Sequence, residues 1–240
     1  MGAIANPPFS MRVVVRLLVG LLLVLQPVPA AADDLFDLQE LVDEARLTFA
    51  RFVMHPDMTS LRDRVKEARA VFIAPAFVKA AYIVGASLGK GVLLVRHEET
   101  GEWSDPAFYT ITGASVGLQI GARRSEVVAL LGAHKGVDAL LSARFMLSAT
   151  INLAVGPVGG GVSGSATPTL SADVISFSRS DGAFAGLALG GLVMLPDDDA
   201  NTLYYGQPMK SADILTDPAG VHHWYSARLR ATLTKVQTGE

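Results

Sequence analysis

Gly113-Ala-Ser-Val-Gly-Leu-Gln-Ile-Gly121 admits two readings, and the fold depends on which one holds. Gly113, Ser115 and Gly117 spell G-x-S-x-G, the nucleophile elbow of α/β-hydrolases, which must leave a strand and enter a helix. The same residues also alternate. Val116, Leu118 and Ile120 point one way, and Ser115, Gly117, Gln119 and Gly121 the other, as in a β-strand. The alternation runs through the candidate nucleophile to Gly121, so the residues favour a continuous strand with one nearly bare face.

The chain around this stretch is rich in small residues. Of 240 residues half are hydrophobic, only 7% are aromatic and 23 are glycine, a mix that suits a β-rich domain with close backbone approaches and excludes a disordered chain. Residues 1–32 read as a cleaved secretory signal: Arg12 and Arg16, an apolar run, then Ala30-Ala-Ala32 before Asp33. The run from Val13 to Leu25 is 13 residues and contains Arg16, whereas a bilayer span needs roughly 20. The expected location is therefore outside the cytoplasm, in the periplasm or cell envelope, with cleavage after Ala32. The remaining chain would carry 18 basic residues against 23 acidic, which argues against non-specific nucleic-acid binding. Cysteine is absent, so disulfides, thiol catalysis and cysteine metal sites are excluded.

Asp33 to Phe52 has the spacing of an amphipathic helix, with Leu35, Leu38, Val42, Ala45, Phe49 and Phe52 on one stripe. After Pro56, Asp57 or Thr59 can cap a second helix to about Ala70. Val71 to Val78, Ala81 to Ser87, Gly91 to His97 and Phe108 to Ala122 read as an antiparallel meander, with Pro75 marking an edge or a bulge. Ser125 to Leu131, Phe145 to Val155, Thr169 to Ser178 and Ala183 to Leu195 continue the strands, with a short helix at Lys135 to Ser142. Pro196 to Ala200 reads as a polar turn, Ser211 to Leu215 as a helical turn, and His222 to Val236 as a C-terminal helix. The expected fold is α+β: one curved, antiparallel, Gly-rich sheet or a barrel-like sandwich, with helices at the two ends of the chain. A single domain spans 33–240, helical over 33–70, mainly strands over 71–206 and helical over 207–240.

Several motifs fail on their context. G-x-S-x-G recurs at Gly85, Ser87 and Gly89, and neither copy precedes a convincing helix. A serine hydrolase using Ser115, with Asp173 or Asp181 and then His222 or His223, is therefore the weakest functional reading. Gly159 to Gly164 matches G-x-G-x-x-G but runs toward Pro168 rather than into a helix. Asp197, Asp199 and Asn201 alternate like the start of a calcium loop, without its Gly or its closing Glu. The five histidines form no zinc signature. No catalytic residue, metal or cofactor is implied. Lys79, Lys90, Arg96, Arg123, Arg124 and Lys135 fall among the Gly-rich strands, where acids are few. Gathered at one rim they would hold a phosphate head group beside apolar surface.

With these residues in view, the chain resembles the SYLF-domain (Ysc84-like) family over roughly 35–216. The resemblance is carried by Ala70-Val-Phe-Ile73 with Lys79, Gly89-Lys-Gly-Val-Leu-Leu-Val95, Trp103-Ser-Asp-Pro-Ala107, Gly117-Leu-Gln-Ile-Gly121, Asn152-Leu-Ala-Val-Gly-Pro157, Gly182-Ala-Phe-Ala-Gly186, Asp198 with Asn201 and Tyr204-Tyr-Gly206, and Asp213-Ile-Leu215. It implies a non-enzymatic, phospholipid-binding domain, here a bacterial exported member. The expected partners are a phospholipid or membrane surface, with an envelope protein as the alternative.

Overall fold

A computed structural model describes residues 31–81, 84–116, 121–132, 145–147, 153–155, 174–180, 183–185, 192–217 and 222–240. Contacts divide the chain into Met1–Asp34 and Leu35–Glu240, and the fold that follows is that of the second unit.

Helix α1 spans Ala31–Met54. Its predicted stripe is realised from Leu38 onward: Leu38, Val42, Ala45, Phe49 and Phe52 are buried, while Leu35 is half-buried. His55 then caps a 3-10 turn at Pro56–Met58 by accepting from the Asp57 amide at 3.3 Å, and α2 follows at Thr59–Val65. His55 thus caps the 3-10 turn, whereas α2 follows Met58 without a side-chain cap, so neither Asp57 nor Thr59 caps it, and α2 ends before Ala70.

Nine strands among the described residues form one sheet: β1 Ala70–Ala81, β2 Val84–Val95, β3 Ala107–Val116, β4 Gly121–Leu131, β5 Phe145–Leu147, β6 Leu153–Val155, β7 Val174–Ser180, β8 Ala183–Ala185 and β9 Leu192–Pro196. The order is β5-β9-β3-β2-β1-β4-β7-β6, with β8 on β7. Every pairing is antiparallel except β6 with β7. A flat path of eight strands would be about 34 Å wide. Yet Leu147 and Leu153, on strands at its opposite ends, are joined by a chain whose full reach is about 20 Å. The sheet is therefore strongly curved, although no pairing closes it among the described residues.

Two expectations need correction. Gly113 to Gly121 is not one strand: β3 ends at Val116, and Gly121 opens β4, which is separated from β3 by the two strands β2 and β1. Gly121 has φ +147°, a conformation that suits glycine. The simple meander therefore stops at β3. In addition, Ala81 to Ser87 and Gly91 to His97 are not separate strands; β2 runs from Val84 to Val95 without a break. The helix at Lys135 to Ser142, the Gly159 to Gly164 motif and Lys135 lie outside the described residues.

Pro75 does mark a bulge, on the central strand β1. Ile73 pairs with Val92 and Ala76 with Lys90, while on the other side Ala74 pairs with Val127 and Phe77 with Ser125. One extra residue on β1 thus faces each neighbour, and proline's missing N–H needs no ladder partner there. Gly91 sits opposite the bulge. A Cβ on it would fall 2.5 Å from both the Ile73 carbonyl oxygen and Phe72 Cζ, so only glycine fits this approach.

Pro196 to Ala200 is a helix start, not a turn. Asp197 caps α3, Asp198–Tyr205, by accepting from the Ala200 amide at 3.1 Å, and Gly206 ends it in the left-handed conformation at φ +68°. Helix α4 is Ser211–Thr216, and a 3-10 turn at Trp224–Ser226 leads into α5, Ala227–Thr238. Leu229 and Leu233 of α5 join the stripe of α1 and the sheet residues in one core.

Candidate functional site

The strands are buried on both faces at one end and bare on one face at the other. At the first end, Val71 to Ala74 on β1, Val92 to Val95 on β2 and Val127 to Leu131 on β4 are all buried. Past the bulge, β2 alternates strictly: Gly85, Ser87 and Gly89 are buried while Ala86, Leu88 and Lys90 are exposed.

Strand register assembles exposed and half-buried residues into three rows. Val193, Thr112, Leu88, Val78 and Arg124 lie side by side across five strands. One step outward come Ala114, Ala86, Ala80 and Ala122, and one step inward Leu195, Thr110, Lys90 and Ala76. Leu88 is 58% exposed and Val78 43%, which is unusual for adjacent large apolar side chains on one sheet face. The patch is roughly 20 Å by 15 Å, with Lys90 and Arg124 as its cations.

The other predicted cations divide by register. Lys79 and Arg123 pair across β1 and β4 on the opposite face at the same end of the strands, and like charges placed so repel each other. Arg96 is elsewhere. It lies six residues beyond Lys90 on the β2 side, about 20 Å along the strand direction, and donates to the Lys66 carbonyl at 2.9 Å. Burial and the neighbouring Arg69 hold its guanidinium below the ordinary value.

Beside the bare face, where α1 crosses the sheet, lies a cavity of about 330 Å³ lined by Glu44, Arg51, Pro75, Arg124, Ser125, Glu126 and Arg179. Glu126 is held from two sides, by Arg51 and by Arg179 at 3.1 Å. Arg51 also donates to Thr48 Oγ1 at 3.0 Å. Glu44, Arg51 and Arg179 were not legible as site residues, because they come from α1 and β7, far from the Gly-rich run in sequence.

At the opposite end a polar clasp gathers distant segments. Asp105, 5% exposed in its side chain, accepts from Ser226 Oγ, lies 3.0 Å from His222 Nδ1 and is 3.5 Å from Arg230 Nε. Ser104 Oγ accepts from the Val95 amide at 3.0 Å, and Tyr205 donates to the Pro106 carbonyl at 2.8 Å. Burial raises the Tyr205 phenol well above its ordinary range. Asn201 accepts from the Phe108 amide at 2.9 Å and donates to Ser211 Oγ at 2.8 Å, while Asp198 accepts from the Ser211 amide at 2.9 Å. Asp197 and Asn201 are thus a cap and a buried cross-link.

This clasp contains Asp, His and Ser, but its hydrogen bonds do not run from serine to histidine to aspartate as in a serine hydrolase. Ser226 Oγ donates to the carboxylate and stands 2.8 Å from the His223 carbonyl, rather than facing an imidazole nitrogen. Ser87 is buried in mid-strand, and after Ser115 the next described element is strand β4, so neither elbow has its helix. His97, Asp105, Asp217 and His222 line a void of about 10 Å³, room for roughly one water. Among the described residues no three such groups are placed to hold a metal.

The clasp includes Trp103 to Ala107, Asp198, Asn201, Tyr204, Tyr205 and the α4 region, which are among the segments that carry the resemblance. The profile of the Ysc84 family, described as "Las17-binding protein actin regulator", matches residues 112–236. The chain belongs to the Ysc84 family. It is 31% identical over 153 residues to the "SH3 domain-containing YSC84-like protein 1" of Bos taurus, covering 62% of this chain and 45% of that one. The Homo sapiens protein of the same name is 32% identical over 139 residues, 58% of this chain and 40% of its own. "Protein YSC84" of Saccharomyces cerevisiae is 27% identical over 142 residues, 58% and 30% respectively. The chain spans less than half the length of these Ysc84 relatives. No helix of the described residues is long and apolar enough to cross a membrane.

Proposed function

We propose that this Ysc84-family chain is a non-enzymatic protein that docks on a phospholipid membrane through the bare end of its sheet, and that it does so in the cell envelope after removal of residues 1–32. The observation that carries this reading is the exposure of Leu88 and Val78 side by side between Lys90 and Arg124. Apolar side chains gain about 1.5–3 kcal/mol each when fully withdrawn from water, and a basic residue near an anionic lipid surface gains about 1 kcal/mol. Two of each give a reversible attachment that weakens with salt. Lys79 and Arg123, repelling one another at the same end, add positive field.

Co-sedimentation of the chain lacking residues 1–32 with vesicles containing anionic phospholipid tests the reading. Binding at low ionic strength that declines as salt is added is expected; absence of binding at low salt contradicts it. Mass measurement of protein recovered from its host checks for an N-terminus at Asp33. A second reading, a protein partner on the same face, draws support from the description of the family by a protein it binds. It predicts a defined cross-linked partner and no lipid in the purified material.

A further inference from the structure

We propose that the cavity between α1 and strands β4 and β7 binds a small zwitterion carrying a phosphodiester and a primary ammonium, the chemistry of a phosphoethanolamine head group. The cavity, at about 330 Å³, is at the lower end of the range for small-ligand sites. Its charges decide what fits. Three guanidiniums (Arg51, Arg124 and Arg179) and two carboxylates (Glu44 and Glu126) line it. Glu126 is already matched, with one oxygen toward Arg51 and the other toward Arg179. Arg124 and Glu44 are left: neither forms an ion pair among the described residues, and they do not pair with each other.

Two opposite charges on facing elements of one cavity, Glu44 on α1 and Arg124 on β4, too far apart to pair, match a ligand with both signs. A lone phosphate would satisfy Arg124 and stand against Glu44; a lone cation would do the reverse. A phosphodiester at Arg124, whose guanidinium has donors to offer it, places an ammonium a few ångströms away for Glu44. Position supports this assignment, because Arg124 pairs in register with Val78 and so belongs to both the cavity and the bare face. A head group seated in the cavity would leave its acyl portion over Val78 and Leu88. The inference thus deepens the membrane reading and rests on it for the source of the ligand, while the charge argument stands independently.

The test uses the chain lacking residues 1–32 and glycerophosphoethanolamine as the soluble probe, with glycerophosphocholine and inorganic phosphate as comparators, followed by calorimetry. Glycerophosphoethanolamine is expected to bind best, since a quaternary ammonium cannot donate a hydrogen bond to Glu44. Glu44→Gln should weaken glycerophosphoethanolamine about tenfold, the loss expected for one charged hydrogen bond, and should strengthen inorganic phosphate. Arg124→Gln should weaken both. Neither side chain has an ion-pair partner to lose, so unchanged thermal unfolding confirms the fold. The proposal is overturned if no probe binds, if phosphate binds as well as glycerophosphoethanolamine, or if Glu44→Gln leaves the preference unchanged. Vesicles with and without phosphatidylethanolamine then separate the sources: a gain in binding lost in Glu44→Gln assigns a lipid head group, and no gain with soluble binding intact assigns a free metabolite. Leu88→Asp, which removes apolar contact outside the cavity, should abolish vesicle binding and leave probe binding intact, so the membrane reading and the cavity fail separately.

Discussion

The two ends of the same strands have been put to different uses. At the clasp end, side chains are buried on both faces and several polar groups are paired across long sequence distances, as in Asp105 with Ser226 and Arg230, or Asn201 with Phe108 and Ser211. At the other end one face of β1, β2, β3 and β4 carries Ala, Val, Leu and Thr with Lys90 and Arg124, and the large apolar residues stay in water. The bulge at Pro75 lies between these regimes. The segments that carry the resemblance are divided between the ends: Trp103 to Ala107, Asp198, Asn201 and Tyr204 to Gly206 belong to the clasp end, whereas Lys79 and Gly89 with Lys90 lie at the bare one. The bare end is built mainly of small residues.

If the ends are separable, substitutions at one should leave the other untouched. The largest stability effect is expected for Asp105→Asn, which leaves Arg230 facing a neutral partner in a buried network. Loss of about 3 kcal/mol, read by denaturant unfolding, should come with little change in vesicle binding below the transition. Gly91→Ala forces a methyl into the Ile73 carbonyl oxygen and Phe72, and should cost about 2–3 kcal/mol. Asn201→Ala strands the buried Phe108 amide, at about 2 kcal/mol.

At the bare end the pattern should invert. Lys90→Gln and Arg124→Gln should change stability by less than about 0.5 kcal/mol while each weakens low-salt vesicle binding by about 1 kcal/mol, or roughly fivefold. The smallest effect concerns pH. Burial lowers the imidazoles of His97 and His223, although Asp217 and Glu102 pull His97 partly back and Asp105 does the same for His223. The unfolded chain, with histidine near 6.5, then takes up protons more readily than the folded one. Stability should therefore fall as pH drops from about 7.5 to 5.5, and His97→Asn should reduce that slope in thermal unfolding.

Local physics made much of this fold legible. The phase of α1, the bulge at Pro75 and the α+β class follow from periodicity and proline chemistry. The split of Gly113 to Gly121 across two strands did not, because long-range pairing places β2 and β1 between them and alternation carries no signal of that choice. Helix α3 was readable in principle: Asp197 before an acidic first turn and Gly206 after the last are cap signals, masked by the look of an acidic turn. For the site, alternation says which residues share a face but not which face is covered. The exposure of Leu88 and Val78 was therefore not readable, and Arg96 grouped with cations that lie about 20 Å from it. Glu44 and Arg179 meet Arg124 only through tertiary structure.

The most direct measurement pairs wild type with Leu88→Asp in co-sedimentation with vesicles of anionic phospholipid at low salt, with thermal unfolding of both run alongside. The account predicts that wild type sediments with the vesicles while Leu88→Asp stays in the supernatant with an unchanged melting temperature. A Leu88→Asp protein that sediments as fully as wild type would contradict it.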